Sequence, residues 1–173
     1  NIVIVGGGPT GVEVSGAIAD MRKYVLRKDY PELDFSLMNI FLIEGSPALL
    51  GAMSKNAQKK SQAFLEKMGV NVFTNTVVKE YDGKTALLSN GTAIATNTLI
   101  WGAGVTAQKI NGIPAEILQR GNRIKVNRYN QAEGFENIFV LGDIAYMTEE
   151  KYPNAHPQVA SVAIAQGKLL AQN

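Results

Sequence analysis

The sequence predicts an α/β fold: a parallel sheet with crossover helices, an antiparallel three-stranded meander, and a smaller, less regular C-terminal segment. Three observations carry this reading. Short β-branched runs at the start of the chain alternate with helical stretches, a β-α-β-α-β order that argues for parallel strands with right-handed crossovers. Two hairpin dipeptides, Asp82-Gly83 and Asn90-Gly91, then divide the next stretch into short strands. Finally, a glycine-rich loop stands between the first strand and the first helix.

Each element has its own warrant. Ile2–Val5 is apolar throughout, as a strand covered on both faces should be. The helix after it opens at Pro9, which is preorganised for a first helical position. It continues through Val12, Ala17, Ile18, Met21 and Val25, read as one repeating face, and fades in the polar stretch 27–32. Asn39–Glu44 is a second buried strand. Ser54–Met68 is an amphipathic helix with Ala57, Phe64, Leu65 and Met68 on one side, and Gly69 is its stop signal. Asn71–Thr74 is a third strand. Val77–Tyr81, Thr85–Leu88 and Thr92–Ala95 form the meander, and Thr98–Trp101 is a further buried strand ending in Gly102-Ala103-Gly104. Beyond a boundary near Val105–Lys109 the signal is patchier. Arg123–Val126 reads as a strand and Ile138–Leu141 as a buried strand ending at Gly142-Asp143. Tyr146–Pro157 reads as a polar loop and Val159–Ala171 as a helix of small and apolar residues.

Composition narrows the function. The 173 residues are 46% apolar and 18% charged, and no apolar run approaches the ~20 residues that cross a bilayer. There are no cysteines, which removes disulfides, thiolate zinc, iron–sulfur clusters and a local CxxC. The lone His156 argues against a histidine metal site or a Ser-His-Asp triad, and no metal is expected. His156 itself reads as a surface histidine. The net charge of +2 is too small to argue for nucleic acid. Asn1 stands directly before a core strand, so the chain reads as a piece of a longer protein.

The loop Gly6-Gly7-Gly8-Pro9-Thr10-Gly11 matches G-x-G-x-x-G at Gly6, Gly8 and Gly11. The first glycine allows the tight turn, the second lets a pyrophosphate approach the backbone, and the third lets helix and strand pack closely. The helix N-terminus presents N–H groups and the positive dipole end to phosphates. A strand before the motif and a helix after it are the context that it requires. The bland alternative is a glycine turn that only packs. Glu44 ends the second strand, where a carboxylate can accept hydrogen bonds from an adenosine ribose diol. It lies 33 positions after Gly11 because of the polar excursion before it, and it could instead merely end a strand. No Lys or Arg occurs between Glu44 and Lys55, so nothing there greets a 2′-phosphate and NADH is expected over NADPH. Glu13, just inside the helix, has two open readings: a favourable charge near the dipole, or a carboxylate near the nicotinamide that assists proton movement.

The wording Gly6-Gly7-Gly8-Pro9-Thr10-Gly11-Val12-Glu13, the meander, Trp101-Gly102-Ala103-Gly104-Val105 and Ile138-Phe139-Val140-Leu141-Gly142-Asp143 occur in an order that resembles two-dinucleotide-binding flavoproteins. The motif wording and the excursion before Glu44 look most like type II NADH dehydrogenases. The resemblance implies a Rossmann-like NAD(H)-binding domain at 1–108 and the C-terminal segment of an FAD-binding domain at 109–173. It implies that hydride passes from NADH to FAD and electrons then pass to a quinone of the respiratory chain. Gly6, Gly8, Gly11 and Glu44 would hold NADH, and Gly7, Pro9, Thr10, Gly102, Ala103 and Gly104 would be cofactor-binding with them. Glu13 would lie near the nicotinamide–flavin contact, and Asp143 would meet the flavin's ribityl–phosphate region, with Gly142 beside it also cofactor-binding. The last helix would aim its N-terminus at the flavin.

One departure qualifies the quinone. The family often carries Ala-Gln-x-Ala-x-Gln in that last helix, and here Ser161 and Ala165 replace both glutamines. The resemblance further implies a peripheral enzyme on the cytoplasmic face of a membrane, with this piece soluble, inactive alone and without FAD. Its flavin-facing surface would invite homodimer contacts. Two alternatives remain: an NADH-dependent ferredoxin reductase or NADH oxidase, and a slow-turnover NADH-binding redox sensor. Thioredoxin reductase is disfavoured by the missing CxxC.

Overall fold

The computed structural model describes residues 1–172 and divides into two compact units, Asn1–Gly104 and Val105–Asn173. The first unit is built on a four-stranded parallel sheet of β1 (Ile2–Val5), β2 (Ile40–Ile43), β3 (Val70–Phe73) and β7 (Thr98–Trp101), in the order β3-β2-β1-β7. Both faces are covered, which is why its strands are apolar without alternation. On one face Ile4, Ile40, Leu42 and Val70 pack with Ala19 of helix α1 (Pro9–Asp20) and Leu65 of helix α3 (Lys55–Lys67). On the other, Val3, Val5 and Ile43 pack with Leu88 and Ile94 of the meander. The meander is a second sheet, β4 (Val78–Tyr81), β5 (Thr85–Leu88) and β6 (Ala93–Ala95), antiparallel throughout. It covers the face that another crossover helix would otherwise occupy.

The expected hairpins form as their sequences require. Gly83 and Gly91 take φ of 90° and 86°, and the preceding Asp82 and Asn90 accept backbone N–H groups through their side chains. Ser54 caps α3 by accepting from the Ala57 N–H at 3.3 Å, and Gly69 ends it with φ of 81°.

Two helix faces differ from the sequence reading. The buried stripe of α1 is Gly11, Ser15 and Ala19, spaced four apart, while Ala17 is exposed and Val12, Val14 and Ile18 flank it half-buried. Small residues win because they let the helix axis approach the sheet, and the larger side chains then spread to either side. Met21 and Val25 belong to a π-helical turn, Met21–Val25, and are exposed. The short helix α2 (Leu26–Asp29) follows. In α3, Leu65 is buried but its neighbour Phe64 is 68% exposed, since the sheet can meet only one of two adjacent positions. Arg22 closes this end of the unit by donating to the carbonyls of Met38 (2.7 Å) and Met68 (2.9 Å).

The second unit has a small mixed sheet in the order β10-β9-β8. Strand β9 (Arg123–Val126) pairs antiparallel with β8 (Leu118–Gln119) and parallel with β10 (Ala145–Met147). Ile117, Ile124, Val126, Ala132, Val140, Ala145 and Met147 form its core, and helix α4 spans Ala160–Gln172. Strand β10 takes two residues from the stretch expected as a loop. The expected buried strand Ile138–Leu141 is not a strand: a single bridge joins Gln131 and Phe139. Phe139 is 46% and Leu141 39% exposed, while Val140 is buried and Ile138 packs half-buried against the core. The neighbouring backbone turns sharply at Asn130, φ 65°, so no partner runs alongside long enough to build a ladder.

Candidate functional site

Ten of the residues singled out in the sequence meet at the C-terminal ends of β1, β2 and β7. Gly6 leaves β1 with φ of 106°, and its N–H donates to the Ile43 carbonyl at 2.8 Å. A Cβ on Gly6 would lie 2.9 Å from the Ala103 nitrogen and the Gly102 carbonyl carbon, so the Gly102-Ala103 backbone fits only against glycine. A Cβ on Gly11 would collide with the Gly6 carbonyl oxygen. Gly8 differs in kind: it precedes α1 with φ of −72°, and nothing lies within 4 Å of where its Cβ would be. Its lack of a side chain is not needed for packing. It leaves the backbone bare beside a helix N-terminus that carries no side-chain cap. Pro9 and Thr10, the first residues of α1, are exposed.

Glu44 stands directly over this loop, although 37 residues separate it from Gly7. Its Oε2 accepts the Gly7 N–H at 2.5 Å and its Oε1 accepts the Ser46 N–H at 2.6 Å. Each carboxylate oxygen has a second lone pair, so the group can still accept from a diol. The strand order changes direction at β1, between β2 and β7, which is the position where open α/β sheets bind ligands.

Sequence reasoning missed the cover on this loop. Leu50, with φ of 51°, donates its N–H to the Gly7 carbonyl at 2.8 Å, and fully buried Leu49 would lie 2.6 Å from a Cβ on Gly7. Buried Gln58 of α3 holds that cover by donating to the carbonyls of Gly51 and Met53. The position of Gln58, seven residues before Leu65 and so on the same face of α3, was the available signal. Trp101 is 62% exposed at the end of β7, with its indole N–H on the Ala103 carbonyl. Gly104 follows with φ of 72°. Glu13 is exposed in the second turn of α1, beyond the glycine loop itself.

Gly142 and Asp143 belong to the second unit, in the turn Gly142–Ile144. Gly142 has φ of 75°, and Asp143 is exposed. Behind them Arg123 is buried, stacked on the Tyr146 ring at 5.2 Å and donating to the Ala145 carbonyl at 2.6 Å. Burial pushes its pKa below the usual guanidinium value, with the charges of Tyr146 and Asp143 acting the other way.

A cleft of about 410 Å³ in this unit is lined by Ser161, Ala165, Tyr129, Tyr152 and His156 among others. His156 is not the surface residue its sequence suggested. Its side chain is 19% exposed, 4.4 Å from the Tyr152 ring and 3.5 Å from Glu149. Among the described residues no group of His, Asp and Glu could hold a metal, and no helix is long and apolar enough to cross a membrane.

A parallel α/β sheet, a glycine loop at its switch point and a strand-end carboxylate over that loop give the first unit a Rossmann-like fold. Residues 1–167 match the pyridine nucleotide-disulphide oxidoreductase family, and the chain belongs to it. It is similar to the type II NADH:quinone oxidoreductase Ndh of Mycobacterium tuberculosis, at 32% identity over 97% of this chain and 37% of that protein. It is likewise similar to the type II NADH:quinone oxidoreductase of Haemophilus influenzae, at 30% identity over 100% of this chain and 39% of that protein. Among solved structures, NDH2 from Plasmodium falciparum in complex with NADH aligns with a TM-score of 0.70 at 26% identity, over 84% of this chain and 32% of that one. The chain therefore spans about a third to two-fifths of the length of these relatives.

Proposed function

We propose that residues 1–108 bind NADH and residues 109–173 supply part of a flavin site, in a flavoprotein that oxidises NADH through FAD and passes the electrons to a quinone. The observation that carries the reading is the pairing of a bare, uncapped loop at Gly8 with Glu44 held over it by Gly7 and Ser46. The relatives named above point to the same activity.

The residues present fit the cofactor. The Gly8 backbone and the first turn of α1 would hold the pyrophosphate, and Glu44 would accept from the adenosine ribose hydroxyls. Gly6, Gly7 and Gly11 shape the loop for that approach, and Gly102 and Ala103 lie against Gly6 on the β7 side, with Gly104 next in the chain. The nicotinamide, when bound, supplies a hydride, and the protein contributes orientation and electrostatics. Exposed Glu13 would lend its carboxylate to proton movement near the nicotinamide. Asp143 would accept from the flavin's ribityl hydroxyls. The cleft bearing Ser161 and Ala165 would take the planar acceptor between aromatic walls. Peripheral attachment to a membrane surface belongs to the same proposal.

Steady-state NADH oxidation by the whole protein that carries this chain, purified with its flavin, tests it with and without a soluble quinone. Strong quinone-dependent turnover is the expected result. Turnover with oxygen or a protein acceptor, but not with quinone, would overturn the quinone assignment and make Ser161 and Ala165 the deciding residues.

A further inference from the structure

We propose that Gln166 and Asn130 are positioning residues: together they hold the Gly142–Ile144 turn so that Asp143 meets a flavin with its backbone already fixed. The inference rests on the flavin reading of Asp143 given above.

Both are uncharged amides that the fold buries, Asn130 completely and Gln166 to 6% exposure. Burial of an amide is unfavourable unless hydrogen bonds replace those made to water. Gln166 lies within α4, and its Oε1 accepts the Gly142 N–H at 2.7 Å. Gly142 needs its left-handed φ of 75° to make the turn, and that conformation aims its N–H at the helix. Without an acceptor there, a part-buried N–H would be left unpaired. Asn130 closes the circuit. Its carbonyl accepts the Val140 N–H at 2.7 Å, and its Nδ2 donates to the Gln166 carbonyl at 3.3 Å. Asn130 can make both contacts because asparagine tolerates its φ of 65°.

The backbone is thus pinned at Val140 by Asn130, at Gly142 by Gln166, and at Asp143, whose carbonyl accepts from Gln158 Nε2 at 3.2 Å. The Asp143 carboxylate, by contrast, is exposed, with no hydrogen bond or ion pair among the described residues. A pinned backbone presenting a free carboxylate is how a ligand-binding group is preorganised, because little ordering is left to occur on binding. Three features with no obvious place in packing are explained together: a buried glutamine in a helix of small apolar residues, a fully buried left-handed asparagine, and a left-handed glycine before an aspartate.

The test compares wild type with Gln166→Met, which keeps volume but removes the acceptor, and Gln166→Glu, which keeps a carboxyl oxygen for Gly142. Asn130→Gly keeps the left-handed backbone and removes the whole carboxamide, both the donor to Gln166 and an Oδ1 that has no partner among the described residues. Two readouts are taken on the whole flavin-binding protein: amide hydrogen exchange at Gly142 without FAD, and the FAD dissociation constant well below the unfolding temperature. Gln166→Met is expected to speed Gly142 exchange and weaken FAD binding, each by about tenfold, as for a buried donor left unpaired. Gln166→Glu should restore most of both, and Asn130→Gly should fall between. Unchanged Gly142 exchange in Gln166→Met would overturn the latch. Faster exchange with unchanged FAD affinity would overturn its role toward flavin. Wild type that binds no FAD while Gly142 stays protected would instead sink the flavin reading itself, and the flavin role with it.

Discussion

A methyl group at position 11 would collide with the Gly6 carbonyl, whereas a methyl group at position 8 would touch nothing. The two glycines of one motif therefore separate by experiment. Gly11→Ala is expected to lose about 1–3 kcal/mol of stability, the usual cost of overpacking a tight contact, seen as a lower thermal midpoint. Gly8→Ala should unfold like wild type but lose NADH affinity, read by quenching or transfer of intrinsic fluorescence. Equal stability loss in both would show that the loop is only a packing turn. Glu44 makes a third case. Its two backbone N–H contacts organise the loop, and its charge should repel a 2′-phosphate, so wild type is expected to bind NADH at least ~tenfold tighter than NADPH. Glu44→Gln keeps one carbonyl acceptor and should narrow that ratio; comparable affinities in wild type would refute the assignment.

At the scale of elements, caps and turns carry what regular strands cannot. Ser54→Ala removes the α3 cap and is expected to cost about 1 kcal/mol in denaturant unfolding. Asp82 gives a pH signature. The N–H groups of Lys84 and Thr85 hold its carboxylate below the ordinary aspartate value. Its contribution is therefore present above the unfolded-state pKa and is lost as pH falls through the lower folded value. Asp82→Asn should flatten the acid limb of stability over that window, and an unaltered limb would remove Asp82 from the account. Legibility also varied by element. Strands β1, β2 and β7, the meander turns and the α3 boundaries were readable because each depends on a local rule: a short apolar run, a positive-φ dipeptide, or a capping serine. The α1 face was misread because its small residues looked unimportant beside larger neighbours. Ile138–Leu141 was misread because an apolar run says nothing of whether a partner strand lies alongside.

For the whole molecule, the match to the pyridine nucleotide-disulphide oxidoreductase family runs over both the unit built on the parallel sheet and the unit with its own separate core. The function proposed above makes the protein that carries this chain an NADH-oxidising flavoprotein with a quinone as acceptor. Ser161→Gln with Ala165→Gln, placed in that protein, would fill the cleft they now line and should change the quinone KM more than the NADH KM. An equal shift in both would separate this cleft from the acceptor.

The sequence alone determined the glycine loop, its strand and helix, the hairpins and the family resemblance, because each is written in residues near one another in the chain. Only the tertiary structure brought Glu44 over Gly7, folded Leu49 and Leu50 across the loop, buried Gln166 and Asn130 behind Gly142, and drew His156 into a cleft. These are contacts between residues far apart in sequence, decided by which surfaces the sheets and helices bring together rather than by any local pattern.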